Sequence, residues 1–338
     1  MKKRVWLIAS SALVVLLALV TLGVGFYMCD YVLRPEEHGQ QIERDRVKIA
    51  RRYPGMLEWY DSLHQAGVFR DTVIVGEGGY RLHAVYASAA ASPASPTSAN
   101  ASPRAQALES PVPAPTALLV HGYTDNHLCF LNIARMYRDS LHCNVLIPDL
   151  HYHGLSEGRA IQMGWLDRLD IKHFAALSHA LWPESPVVVH GVSMGAATTM
   201  MLSGEPDLPD YIKGFIEDCG YTSAWDQFAH NLKEEFGLPP FPVLYAASWV
   251  CKMKYGWDFK EASCLKQLAK STRPMLFIHG NQDDFVPFEF LEKLYDAKTQ
   301  GYKEKWVTEG TKHAKSHIDY PLDYQNRLGA FIKHFCYF

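Results

Sequence analysis

Short β-branched, apolar runs recur at 116–120, 143–148, 186–190, 212–218, 274–279 and 304–308, and stretches with helical spacing separate them. This alternation predicts a mostly parallel sheet with crossover helices on both faces. Upstream, Thr72–Val75 and Tyr80–Ala87 are joined across Gly76-Glu77-Gly78-Gly79, which predicts an antiparallel hairpin at the edge of the sheet.

Four segments break this rhythm. After Lys2, Lys3 and Arg4 comes an uncharged stretch, Val5 to Met28, which as a helix spans about 36 Å and suffices for a hydrocarbon core. Residues 1–35 are therefore expected to be a membrane anchor or an export signal. The basic residues before the span favour a cytoplasmic N-terminus and an exoplasmic or periplasmic main domain, although Arg34, Arg44 and Arg46 oppose that bias. A retained signal-anchor is expected, because a cleaved signal has a shorter apolar region and an A-x-A-like site. Cleavage after Gly25, giving a secreted protein, is the alternative.

Over 36–69, Ile42, Val47, Ile49, Met56, Leu57 and Tyr60 recur at roughly helical spacing among charges, which predicts a helical neck. Residues 88–115 are low-complexity Ala, Ser and Pro, read as a disordered insertion that includes the glycosylation-like tripeptide Asn100-Ala101-Ser102. Residues 220–273 exceed an ordinary crossover and predict a helical cap. Its aromatics, among them Trp225, Phe228, Tyr245, Trp249, Trp257 and Phe259, either pack the cap or line an apolar pocket over the site.

Composition narrows the classes further. A net charge of −3 on 338 residues gives no global electrostatic reason to bind nucleic acid, and none is expected. The seven cysteines lack paired metal spacing; in an oxidising compartment a disulfide such as Cys251 with Cys264 is allowed, and the odd total leaves at least one thiol. Cys219, at a strand end, reads as buried packing. Oligomeric state stays open.

The chemistry concentrates in Val187-Val-Val-His-Gly-Val-Ser-Met-Gly195, a strand leading into a serine flanked by glycines and then into a helical pattern. It predicts a nucleophile elbow at Ser193, with the Met194 N–H aimed at an oxyanion. Serine needs a neutral imidazole to take its proton and a carboxylate to fix that imidazole. In chain order, Asp283 or Asp284 follows the strand beginning at Pro274, and His313 follows the last strand. Asp218 is a rival acid and His317 a rival base. His121, His151, His153, His190 and His279 fall near strand ends, where they could converge on a metal, but loop positions account for them and no metal is expected.

His121-Gly-Tyr-Thr-Asp125, Asp149-Leu-His-Tyr-His-Gly-Leu-Ser-Glu-Gly158, Gly191-Val-Ser-Met-Gly195, Gly280-Asn-Gln-Asp-Asp-Phe-Val-Pro287 and His313-Ala-Lys-Ser316 resemble the successive motifs of an α/β-hydrolase, most closely the membrane-anchored Bem46-like serine hydrolases. The resemblance covers about residue 70 to the C-terminus and implies the α/β-hydrolase fold, with 70–338 as the catalytic domain. It selects Asp283 over Asp284 and implies Tyr123 as the second oxyanion N–H beside Met194. One departure is His151, which stands where the pattern has arginine. The implied activity is carboxylic ester hydrolysis through an acyl-enzyme, with no dissociable cofactor. Thioesterase, amidase, peptidase or acyltransferase chemistry would use the same residues, and a noncatalytic membrane-tethered binding protein is the reading from another class.

Overall fold

The structure is a computed structural model describing residues 2–35, 41–90 and 113–337. The low-complexity insertion with Asn100 lies outside these residues except at its two ends. The chain divides into two compact units, one of His38–Thr222 and Cys264–Phe338, the other of Met1–Glu37 and Ser223–Ser263.

The larger unit holds one eight-stranded sheet: β1 (Arg70–Val75), β2 (Arg81–Ala87), β3 (Thr116–Val120), β4 (Asn144–Pro148), β5 (Val187–Val192), β6 (Ile212–Asp218), β7 (Met275–Gly280) and β8 (Lys303–Thr308). Their order is β1-β2-β4-β3-β5-β6-β7-β8. The edge hairpin pairs antiparallel from Arg70–Tyr86 to Val75–Arg81, and β2 also runs antiparallel to β4. All remaining pairings are parallel. The expected hairpin and all six expected parallel strands are present, and β3, β4, β5 and β7 are buried along their whole length. Such continuous burial is what β-branched runs allow when helices cover both faces.

Strand alternation assigns each residue to a face. Ala117, Leu119, Val145, Ile147, Val188, Ile216, Leu276 and Ile278 pack with Tyr324, Leu328, Phe331 and Ile332 in one core cluster. The same cluster takes in Ile49, Met56 and Tyr60 from α2 (Gln41–Arg52) and α3 (Met56–Gln65), so these two helices belong to the sheet's unit.

The smaller unit joins α1 (Lys2–Leu33) to two helices from the 220–273 region, α7 (Ala224–Phe236) and α8 (Val243–Tyr255), which in chain order follow α4 (Leu131–Arg135), α5 (Asp167–Leu181) and α6 (Met194–Ser203) of the larger unit. Trp6–Leu33, 28 residues, is long and apolar enough to cross a membrane, at about 42 Å of helix. The same composition also suits a signal sequence. Trp257, Phe259 and Phe228 are buried within this unit, with the Phe228 and Phe259 ring centres 4.7 Å apart.

Candidate active site

Ser193 leaves β5 and caps the helix Met194–Ser203 with φ 59° and ψ −118°, a conformation that L-residues rarely adopt. The turn is tight because its glycines let backbones touch. A Cβ on Gly195 would lie 1.9 Å from the Val120 carbonyl oxygen, and one on Gly191 would lie 2.0 Å from the Gly195 oxygen. Only hydrogen fits at either position, so the spacing of the glycines is dictated by contact with β3 and with the turn itself. The Ser193 N–H donates to the Asp218 carbonyl at 2.8 Å, which ties the elbow to β6.

The structure brings Ser193, His313 and Asp283 together. His313 Nε2 is 2.9 Å from Ser193 Oγ, and His313 Nδ1 is 2.7 Å from Asp283 Oδ2. The other carboxylate oxygen, Oδ1, accepts from the backbone N–H groups of Phe285 and Val286 at 3.1 and 2.9 Å. Burial would raise the Asp283 carboxyl, but the imidazoles of His279 and His313 outweigh it and hold the pKa down at about 2. The acid is therefore ionised at neutral pH, as orienting an imidazole requires. A hydroxyl, an imidazole and a buried carboxylate in this line can together activate the hydroxyl as a nucleophile.

The rivals are engaged elsewhere. Asp218 accepts from Tyr324 Oη at 2.9 Å and Ser316 Oγ at 3.4 Å, and burial pushes its carboxyl up to about 6. His317 Nε2 lies 3.4 Å from Tyr53 Oη, and burial lowers its pKa to about 3. Met194 is the first residue of its helix, where N–H groups lack intrahelical partners, and a Cβ placed on Gly122 would lie 3.5 Å from Ser193 Cβ, so the loop that carries Tyr123 passes close to the serine. Cys219 is buried, with its thiol pKa raised by that burial.

Among the strand-end histidines, His121, His151 and His153 brace loops. His121 Nδ1 donates to the Gly122 carbonyl at 2.8 Å and its Nε2 accepts from the Leu150 N–H at 2.9 Å. His153 Nδ1 donates to the His151 carbonyl at 2.9 Å, and His151 Nε2 accepts from the Arg159 N–H at 3.1 Å. His190 sits between the Tyr137 and Tyr324 hydroxyls at 3.0 Å each. His151, at the arginine position, also meets Tyr80 edge to face at 4.7 Å between ring centres.

Two sets of contacts around the site carry no signal in the local sequence pattern. On α2, Arg44 donates to the Thr124 carbonyl at 2.9 Å, Asp45 accepts from Asn126 Nδ2 at 2.7 Å and Lys48 pairs with Asp125 at 3.1 Å, so one helix grips the loop that carries Tyr123. Asp149 is bonded by His83 Nδ1 at 2.9 Å and by His127 Nδ1 at 2.9 Å, while His83 Nε2 reaches Asp71 at 2.8 Å and Asp71 reaches His64 at 2.6 Å. His83, His127 and Asp149 are close enough to share a metal ion, and these hydrogen bonds already satisfy the Asp149 carboxylate.

A mostly parallel sheet covered by helices, with its fifth strand running into a strained serine turn, is the architecture of an α/β-hydrolase. The chain belongs to the Alpha/beta hydrolase family, whose sequence pattern matches residues 117–324. It is 32% identical to the protein YqkD of Bacillus subtilis (strain 168) over 218 residues, 64% of this chain and 70% of that one. It is 27% identical to Protein bem46 of Schizosaccharomyces pombe over 184 residues, 53% of this chain and 54% of the relative, so about half of bem46 is matched. Among solved structures it is similar to the Pyrococcus furiosus esterase Pf2001, with a TM-score of 0.60 and 21% identity over 79% of this chain and 93% of that one. The Bem46-like resemblance and the fold it implied are thus borne out, and the family supports a hydrolase activity.

The histidine–aspartate chain has a pH signature. Burial would lower the His83 imidazole, but Asp149 and Asp71 outweigh it and raise its pKa. Burial would raise Asp149, yet His127 and His83 hold it well below the usual carboxylate range. Because His83 binds its proton more tightly folded than unfolded, its contribution to stability is complete below about pH 6.5 and is lost as pH rises through the raised value. Denaturant midpoints of the wild type and His83→Gln, measured from about pH 6 to about pH 9, should differ most at the acid end and converge toward the alkaline end. A deficit independent of pH would contradict a cationic His83.

Proposed function

We propose that this protein is a membrane-anchored serine hydrolase that cleaves carboxylic esters through an acyl-enzyme on Ser193. The observation that carries this reading is the continuous hydrogen-bonded line from Ser193 Oγ through His313 to Asp283, at the end of a strained elbow. Ser193 Oγ attacks the ester carbonyl carbon while His313 Nε2 takes its proton. Asp283 keeps the His313 Nδ1–H pointed at itself and stabilises the imidazolium that forms. The N–H groups of Met194 and Tyr123 receive the oxyanion. The tetrahedral intermediate then collapses, the alcohol leaves with the proton from His313, and water deacylates the serine with the same imidazole as base. The similar Pyrococcus furiosus structure is that of an esterase, which favours an oxygen ester as the bond cleaved. No step calls for a dissociable cofactor.

In this reading residues 1–35 form the anchor, 36–69 the neck and 70–338 the catalytic domain, with 220–273 as its cap. Lys2, Lys3 and Arg4 stay in the cytoplasm and the catalytic domain lies on the exoplasmic or periplasmic side.

Two measurements follow. With a panel of p-nitrophenyl esters of varied acyl length, Ser193→Ala should abolish turnover, and Asp283→Asn should lower kcat by about 10³ to 10⁴ while folding is kept. Asp218→Asn and Asp284→Asn should do far less; a collapse of kcat in Asp218→Asn alone would move the acid to β6. For the anchor, the full chain should resist alkaline carbonate extraction, and its catalytic domain should be open to protease only from the exoplasmic or periplasmic side. Digestion from the cytoplasm would reverse the orientation, and a wholly soluble native chain starting near Phe26 would show a cleaved signal.

A further inference from the structure

The smaller unit carries an apolar surface that no catalytic role uses. Its second long helix, α8 (Val243–Tyr255, following α7 at Ala224–Phe236), buries one face and exposes another. Tyr245, Trp249 and Met253, with Phe241 just ahead of the helix, recur every fourth position and so share one face. They are between 49% and 71% exposed. Four large apolar side chains in a row are more than the scattered exposure that a soluble surface carries.

What borders this stripe identifies its partner. The end of α1 packs along α8: Gly25, Cys29 and Leu33, four residues apart, are buried, and a Cβ on Gly25 would lie 2.7 Å from Ala246 Cβ. Asp30 of α1 pairs with Lys254 of α8. Ala246 stands three positions before Trp249 and seven before Met253, so on the helix surface the exposed stripe begins where the α1 contact ends. Aromatic contacts also gather on each of the two surfaces. Tyr27 stacks with Tyr31 at 6.2 Å, Tyr31 meets Phe236 edge to face at 5.9 Å, and Phe241 meets Tyr245 at 5.9 Å. Lys260 lies 4.1 Å from the Trp225 ring and 4.7 Å from the Tyr245 ring, which puts a cation beside the aromatic group.

We infer that α8 is itself a membrane-docking element, running alongside the end of α1 with Phe241, Tyr245, Trp249 and Met253 turned into the boundary between phospholipid headgroups and acyl chains. The inference rests on the reading of α1 as a membrane span. Tyrosine and tryptophan have amphipathic rings that settle at that depth. Because the stripe borders the α1 contact, a bilayer crossed by α1 would meet α8 without any further contact being built. The cap of this hydrolase would then be held at the bilayer at two points.

The test uses the full chain reconstituted in phosphatidylcholine vesicles that contain a phospholipid with a diazirine on its acyl chain, irradiated and mapped by peptide mass spectrometry. Lipid adducts are expected on peptides from Trp6 to Val24 and also on those covering Phe241 to Met253. The variant Tyr245→Ser/Trp249→Ser/Met253→Ser, checked for an unchanged thermal transition, should lose the second set and keep the first. Adducts confined to the α1 peptides would overturn the docking role of α8 and leave the anchor standing. Absence of adducts from both would overturn the anchor and the docking together. Cross-links joining α8 of one copy to α8 of another, in place of lipid adducts, would assign the stripe to a second copy of this chain.

Discussion

The contact between Gly195 and the carbonyl oxygen of Val120 is the constraint from which the site is built. With 1.9 Å available where a methyl group would sit, the helix after the elbow can close onto β3 only because both glycines are bare. That closure forces Ser193 into φ 59°, ψ −118°, at a cost of about 1–3 kcal/mol for a residue with a side chain. The parallel pairing of β5 with β3 and β6 holds the turn in that state, since relaxing it would pull the buried strands out of register. The serine is thereby presented at the strand ends, where the loops after β3, β7 and β8 also arrive.

Around that fixed turn the chain uses imidazoles in two ways. His121 and His153 are buried, and that burial lowers their pKa values; as neutral rings each can donate from one nitrogen and accept at the other, which suits joining two backbone loops. His83 lies between two carboxylates and is held toward its cationic form, so it ties the edge hairpin to Asp149 electrostatically. His279 combines with His313 to keep Asp283 ionised despite its burial. From the other side α2 grips the 124–126 loop by three polar contacts, so a segment that reads as a neck in sequence also positions the backbone beside Ser193.

What was legible in the sequence follows from how local each signal is. Buried parallel strands write themselves as β-branched runs, and the elbow needs its glycines and serine within five residues, so β3 to β8 and Ser193 could be read directly. Residues Asp283 and His313 follow strands that could be read, and the family resemblance chose between adjacent aspartates. The polar contacts of Asp45, His83 and His127 join positions far apart in sequence, and no periodicity marks such pairs. The cysteines show the same limit: the expected pairing of Cys251 with Cys264 is not formed, since all seven are free thiols, the Cys251 thiol meets Cys29, and Cys264 Sγ bonds the Ala197 carbonyl. The aromatics of the 220–273 region divide between buried packing, as at Trp257 and Phe259, and the exposed stripe of α8, a division that their spacing alone left open.

The central claim is that the hydroxyl of Ser193 is a nucleophile made reactive by His313 and Asp283. Intact-mass and peptide mass spectrometry after treatment with a fluorophosphonate tests it most directly, because an ordinary serine does not react. The account predicts one phosphonyl group per chain, located on Ser193, with ester hydrolysis lost in step with labelling. Labelling at another residue, or ester turnover that survives with Ser193 unmodified by excess reagent, would contradict it.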